Sequence, residues 1–353
     1  MKAIFCAAGL AAGLAAGLAP AVASIAAQQP AALPPPGFHH LHLNSMNPDT
    51  AAAWYAKEFP STSKATWGGM TALKSPNNVL VLFTKVDQPP ATQPQTAFWH
   101  FGWHVTNERQ TMARLRADGV TLLPLYTGEG DRTVNINSDT YPGTGGVLGL
   151  TRAQLEEAKR NNVKPAGGAG FAYIRGPDDA LIEVQGDMPS ERFNHVHMYH
   201  EDPFCSQLWY QKHLNVPVPQ GRRGGAPAEP RTETNCKAPR GPDKTFPALD
   251  VDGMFRAPQI PLLFSDVSMG GYTRQTDASL VSTRGHLADH VGLSVSNLDA
   301  WVTKLRGEGV KFLEQPYKLG DTRAAMIEGP SHEALELVEA GAIPGVAGGQ
   351  VKP

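Results

Sequence analysis

The chain repeats itself, and the repetition restricts its fold more than any other feature of the sequence. Phe38-His39-His40-Leu41-His42-Leu43 returns 155 residues later as Phe193-Asn194-His195-Val196-His197-Met198. In the same register Pro48, Trp54, Tyr55 and Lys57 fall on Pro203, Trp209, Tyr210 and Lys212. A second pairing, at an offset of 190, sets His100, Gly102, Val105 and Asn107 on His290, Gly292, Val295 and Asn297. A third, at 153, sets Ile174, Gly176, Pro177 and Glu183 on Ile327, Gly329, Pro330 and Glu336. Changes of offset mark insertions. About 35 residues are added in the second half, centred on 217–247, and about 37 in the first, around 126–170, with a helical stretch over 151–161. The repeat predicts two domains, 38–187 and 192–339, each of two modules.

Every module opens on a short alternating strand that carries histidine: His40, His100, His195 and His290. A helix follows each. Asn47-Pro48 and Asp202-Pro203 supply an N-cap with proline at the first helical position, and Asn107 and Asn297 cap the other two helices. Gly119 and Gly309 end those two. Strand-like runs come next, at 78–84, 170–174, 180–184, 261–264, 324–327 and 334–338. Strand, helix and several strands, four times over, predict an α+β fold of mixed sheets with helices on one face.

The 353 residues include 31 Lys+Arg against 33 Asp+Glu, a formal charge of −2, which gives no footprint for nucleic acid. With 41% hydrophobic and 18% charged residues the chain can bury a core. Its 36 glycines and 30 prolines fit many turns and open linker rather than a helical bundle. Met1-Lys2, an Ala/Gly/Leu-rich run and small residues up to Ala23 have the layout of a secretory signal, so 1–23 is expected to be cleaved. The expected location is periplasmic or secreted, with no membrane contact after cleavage. The segment 24–37, with Pro30, Pro34, Pro35 and Pro36, reads as a tether, and 340–353 as a tail. Cys6 leaves with the signal, so Cys205 and Cys236 are expected to pair, tying a helix to the second insertion.

Residues two apart on a strand share a face. His40 and His42 therefore point one way, as do His195 and His197, and His100, Gly102 and His104. Gly102 and Gly292 leave space beside the opening histidines. Glu183 and Glu336 stand in apolar closing strands, where a carboxylate is costly to bury unless it is paired or bound to metal. Each half thus offers two histidines and one glutamate, His40, His100 and Glu183 in the first and His195, His290 and Glu336 in the second. Such a set suits a divalent first-row ion with coordination positions left open. Leu82 stands where the first closing strand would place a fourth ligand. His42, His104, Tyr173, His197 and Tyr199 are the acid–base candidates. His39, His200 and His286 are read as peripheral, and Arg222-Arg223 as solvated loop.

These residues resemble the vicinal oxygen chelate superfamily, which includes glyoxalase I, the extradiol dioxygenases, and fosfomycin and bleomycin resistance proteins. Carrying the likeness are Asn194-His195-Val196, Asp289-His290-Val291, and the closing runs from Gly176 to Glu183 and from Gly329 to Glu336. The resemblance implies four βαβββ modules that pair into two cups. It also implies a metal, iron(II), manganese, zinc or nickel, held by opening-strand histidines and a closing-strand glutamate. The expected function is a metal-dependent dioxygenase, lyase or isomerase acting on a small organic molecule with neighbouring oxygens, as a monomer or homodimer. The alternative is a metal-free protein that binds a drug or metabolite. Tyr173 lies ten residues before Glu183, as in the ring-cleaving signature, but Gly176 replaces its acidic residue.

Overall fold

The computed structural model describes residues 33–123, 133–136, 147–151, 157, 160–162, 171–186, 188–217, 231–237, 260–273 and 279–340. The signal segment, most of the tether and tail, Arg222-Arg223 and most of the expected helix at 151–161 lie outside them. The first module comprises β1 (Gly37–Ser45), α1 (Pro48–Glu58), β2 (Ser63–Trp67), β3 (Met70–Lys74) and β4 (Leu80–Lys85). The second comprises β5 (Phe98–His104), α2 (Glu108–Ala117), β6 (Leu122–Leu123), β7 (Thr133–Ile136), β8 (Val147–Thr151), β9 (Phe171–Arg175) and β10 (Leu181–Gln185). The third has β11 (Arg192–His200), α3 (Pro203–Leu214), β12 (Ile260–Phe264) and β13 (Val267–Thr273). The fourth has β14 (Ala288–Val295), α4 (Leu298–Gly307), β15 (Phe312–Leu319), β16 (Thr322–Glu328) and β17 (Ala334–Glu339). None of these helices is long and apolar enough to cross a membrane.

The helix starts follow the caps. Asn47, Asn107 and Asn297 accept from the backbone N–H groups of Thr50, Gln110 and Ala300, whereas Asp202 holds the cap position of α3 without a side-chain cap bond. Gly119 and Gly309 take φ of 77° and 75° just past α2 and α4, a left-handed conformation that glycine adopts at little cost. The strands β2, β3, β6, β7, β8, β13 and β15 are additional to those expected. In β13 the alternation Val267-Ser268-Met269 breaks at Gly270-Gly271, which lowers strand propensity, and β15 carries Pro316 and is largely exposed.

Two mixed sheets result, eight strands in the order β15-β16-β17-β14-β1-β4-β3-β2 and seven in the order β12-β13-β11-β5-β10-β9-β6, with β7 and β8 as a separate hairpin. The partition by halves is corrected here. β1 pairs antiparallel with β14, so modules one and four share a sheet, and β11 pairs antiparallel with β5, so modules two and three share the other. Chain order does not determine which opening strands become neighbours. Pairing follows the edges that the strand register and apolar pattern leave complementary.

Strand alternation then sorts the side chains. Leu41, Leu43, Val291, Leu293, Leu335 and Leu337 of the larger sheet join Phe101, Trp103, Ile182, Val184 and Val196 of the smaller in one core, with Phe38 and Phe193 5.8 Å apart across it. The helices close this core: α1 lies over β1–β4, α3 over β11–β13 and α4 over β16 and β17. The opposite faces carry the histidines. The hairpin turns at Gly68 and Gly320 meet so closely that a Cβ on Gly320 would lie 2.6 Å from the Gly68 Cα. The eight-stranded sheet therefore curls into a cup. Cys205 of α3 and Cys236 form a disulfide, with Cα atoms 4.9 Å apart.

Buried polar groups link the modules. Ser45 donates to Asp178 at 2.5 Å, and His200 lies 2.7 Å from the Ser331 hydroxyl. His200 is not peripheral but buried, and burial lowers its pKa to about 3. Burial also pushes Glu333 up to about 7, where Tyr210 donates to it at 2.5 Å.

Candidate metal centres

The opening histidines come together across the antiparallel pairs β1/β14 and β5/β11. In the eight-stranded sheet His40 Nε2 lies 3.3 Å from His290 Nε2 and 3.4 Å from Glu336 Oε2, and His290 Nε2 lies 3.8 Å from the same oxygen. In the seven-stranded sheet His100 Nε2 is 3.0 Å from Glu183 Oε2, His195 Nε2 is 3.8 Å from it, and His197 Nδ1 is 2.9 Å from His100 Nε2. The six expected ligands do cluster, but not as the halves would have it. His40 belongs with His290 and Glu336, and His195 with His100 and Glu183. The two lone histidines exchange places because their strands exchange sheets.

The glycines explain how the rings fit. Gly292 faces His40 and Gly102 faces His195 across the ladder. A Cβ on Gly292 would come within 2.1 Å of the His40 ring, and one on Gly102 within 2.3 Å of the His195 ring. The space at these glycines is filled by an imidazole from the other module.

Neighbouring groups fix each tautomer. His290 Nδ1 donates to Asp289 Oδ1 at 2.6 Å and His195 Nδ1 to Asn194 Oδ1 at 2.9 Å, which leaves both Nε2 lone pairs facing the clusters. His39 is buried, with its Nδ1 2.7 Å from His40 Nδ1, so its peripheral reading is corrected too. His286, also read as peripheral, is half-buried, and its backbone carbonyl accepts from Asn44. Burial, with neighbouring histidines adding to it, holds His40, His195 and His197 well below the ordinary imidazole range, and burial alone does the same to His100. These rings are neutral near pH 7 and offer lone pairs. Burial raises the Glu336 carboxyl, while His290 and the Tyr317 hydroxyl draw it back.

This donor set fits a metal ion. Two ligand atoms each about 2.0–2.2 Å from a tetrahedral ion lie about 3.3–3.6 Å apart, and the spacings here, from 2.9 to 3.8 Å, bracket that range. Moreover, His195 Nε2 in one centre and Glu336 Oε2 in the other are buried with no hydrogen-bond partner, a costly state that a cation in each centre relieves.

The acid–base candidates separate. Tyr173 donates to Glu183 Oε2 at 3.0 Å and stands 3.5 Å from His100 Nε2. His197 is inside the cluster. His42 stacks on His290 with ring centres 4.4 Å apart, its Nε2 is 2.7 Å from the Thr84 hydroxyl, and it offers a donor within 4.8 Å of those of His40 and His290. His104 pairs with Gln185 at 2.9 Å, outside the group of mutually close donors. Tyr199 stacks on Trp99, with centres 5.3 Å apart, in an aromatic wall that includes Tyr272. One residue the sequence reading missed is Tyr317 of β15, whose hydroxyl bonds the second oxygen of Glu336. At the offset of 190 it meets Thr127, so the repeat carries no signal for it.

The histidines also set the acid stability of the metal-free chain. A group whose folded pKa is lowered contributes stability above its unfolded pKa and loses it as pH falls toward the folded value. His40, His42, His100, His195, His197 and His200 all act in this sense below about pH 6.5. Glu333, with its raised pKa, acts the other way as pH rises from about 4.5 to 7. Since each group contributes at most about 1.4 kcal/mol per pH unit, the histidines outweigh it. The urea midpoint of metal-free protein is expected to fall from pH 7 to pH 5; a constant or rising midpoint would contradict this.

No protein-family model matches the chain, nor does any curated protein. Among solved structures it is similar to glyoxalase I from Zea mays, with a TM-score of 0.52 and 14% identity over 86% of this chain and 92% of that one. A provisionally assigned dioxygenase from Bacillus subtilis matches with a TM-score of 0.51 and 8% identity, over 87% of this chain and 86% of that one. At such identities the likeness is one of fold.

Proposed function

We propose that this chain, which has the four-module vicinal oxygen chelate fold, is an exported metal-dependent enzyme acting on a small organic molecule with two adjacent oxygens. The observation that carries the reading is the convergence of two imidazoles and a carboxylate in each sheet, with His195 Nε2 and Glu336 Oε2 unpartnered. His40, His290 and Glu336 would hold one ion, and His100, His195 and Glu183 the other. Such an ion supplies Lewis acidity toward substrate oxygens or, as iron(II), activates dioxygen.

The chain's own groups do the rest. Asp289 and Asn194 keep the Nδ1 protons on His290 and His195, so the Nε2 atoms remain donors. Tyr173 holds its hydroxyl proton on Glu183 Oε2, beside that cluster, for transfer to or from a substrate. Trp99, Tyr199 and Tyr272 form an apolar wall suited to a flat organic substrate and able to exclude water. The likeness to glyoxalase I and to the assigned dioxygenase supports a reaction of this broad class. Export is supported by the signal-like first 23 residues and by the Cys205–Cys236 disulfide, which suits an oxidising compartment.

Metal analysis of protein purified without chelator tests the reading. Two first-row divalent ions per chain are expected, with loss of both on dialysis against a strong chelator. Protein that carries no ion and takes up none on titration would overturn it.

A further inference from the structure

The four closing-strand positions equivalent to the glutamates can be read from the parallel ladders. Glu183 lies opposite Gly102 and Glu336 opposite Gly292, each two residues past an opening histidine. By the same register Leu82 lies opposite His42, and Gly270 opposite His197. Neither supplies a ligand, but they differ in what they leave behind. Leu82 is buried and fills its place. Gly270 leaves its place open, and the His197 ring occupies it: a Cβ there would lie 2.6 Å from His197 Cδ2 and 2.9 Å from its Nε2.

The neighbours of the two rings differ in the same sense. His42 is drawn to the strand end by Thr84, whose counterpart on β13 is Tyr272. The Tyr272 ring meets His197 edge-on at 5.0 Å, while His197 stacks on His195 at 4.3 Å. His197 Nδ1 is thereby set 2.9 Å from His100 Nε2, and the nearest donor atoms of His100, Glu183, His195 and His197 all lie within 4.8 Å of one another. The unpartnered His195 Nε2 belongs to the same group.

We infer that His197 is a fourth protein ligand in the seven-stranded sheet, standing in for the carboxylate that Gly270 lacks. The centre so formed is a three-imidazole, one-carboxylate site that suits zinc and closes around it. The inference rests on the metal-binding reading above.

Zinc(II) titration of metal-free protein against a chromophoric chelator tests it. Wild type is expected to take up two ions. His197→Ala should weaken one centre by at least about tenfold and leave the other as it was. In the double variant His197→Ala/Gly270→Glu, the cleared space admits a carboxylate at the closing-strand position, and affinity should recover. Zinc X-ray absorption on His290→Ala, loaded with the single ion it retains, needs no change at His197 and should count three imidazoles. Two imidazoles, or an unaltered wild-type isotherm in His197→Ala, would overturn the inference while leaving the metal-binding reading intact. A wild-type chain that binds no zinc would overturn both.

Discussion

Gly292→Ala and Gly102→Ala are each expected to cost the protein one metal centre. The added Cβ would stand 2.1 Å from His40 Cε1 and Nδ1 in the first case and 2.3 Å from His195 Cε1 in the second, distances that packed atoms do not tolerate. Both imidazoles are fully enclosed, His40 at 0% exposure and His195 at 2%, so neither can swing aside without disturbing its sheet. Displacing the ring removes one donor and misaligns the rest. Affinity of the affected centre should fall by about 100-fold, and overpacking should destabilise the chain by about 1–3 kcal/mol. Gly307→Ala is the control: nothing lies within 4 Å of a Cβ there, and alanine suits the end of α4. Metal titration of the three variants checks the expectation; equal affinities in all three would contradict it.

Trp103→Ala should produce the largest loss of stability, about 3–5 kcal/mol. Trp103 is 1% exposed and stacks on Phe59 with centres 4.4 Å apart and planes 12° from parallel. It also meets Tyr55 at 5.5 Å and Phe193 edge-on at 5.2 Å, and donates its indole N–H to Thr62. A strand of module two is thus locked to the helix region of module one and to the opening strand of module three. Removing the indole opens a cavity where three modules meet and leaves the Thr62 hydroxyl without that donor. Denaturant unfolding measures the loss; a change below about 1 kcal/mol would show that the modules do not depend on this contact.

The repeat made the modules legible because each strand–helix–strands unit keeps its caps, its tryptophans and its apolar alternation. The same evidence identified the ligand types, since histidine opens every module and glutamate closes the second and fourth. Their grouping was not legible. A repeat states which residues are equivalent, not which edges pair, and His40 and His195 change partners when β1 joins β14 and β11 joins β5. Gly102 and Gly292 held the missing signal. Glycine beside a buried histidine on an apolar strand implies that a neighbouring strand contributes something bulky, and the neighbour is another opening strand. The burial of His39 and His200 was not legible because it depends on a distant partner, Trp67 in one case and Ser331 in the other, where local pattern is silent. Tyr317 sits on an exposed, irregular strand whose register shifts twice, so no alternation marks its hydroxyl as facing Glu336.

The crossed assembly of the two centres is tested most directly by counting metal in paired variants. His195→Ala should lose the ion shared with Glu183, so that adding Glu183→Ala costs nothing further, whereas adding Glu336→Ala removes the second ion. If instead His195→Ala and Glu336→Ala abolish the same ion, the centres follow the halves of the sequence and the assembly across sheets described here is wrong.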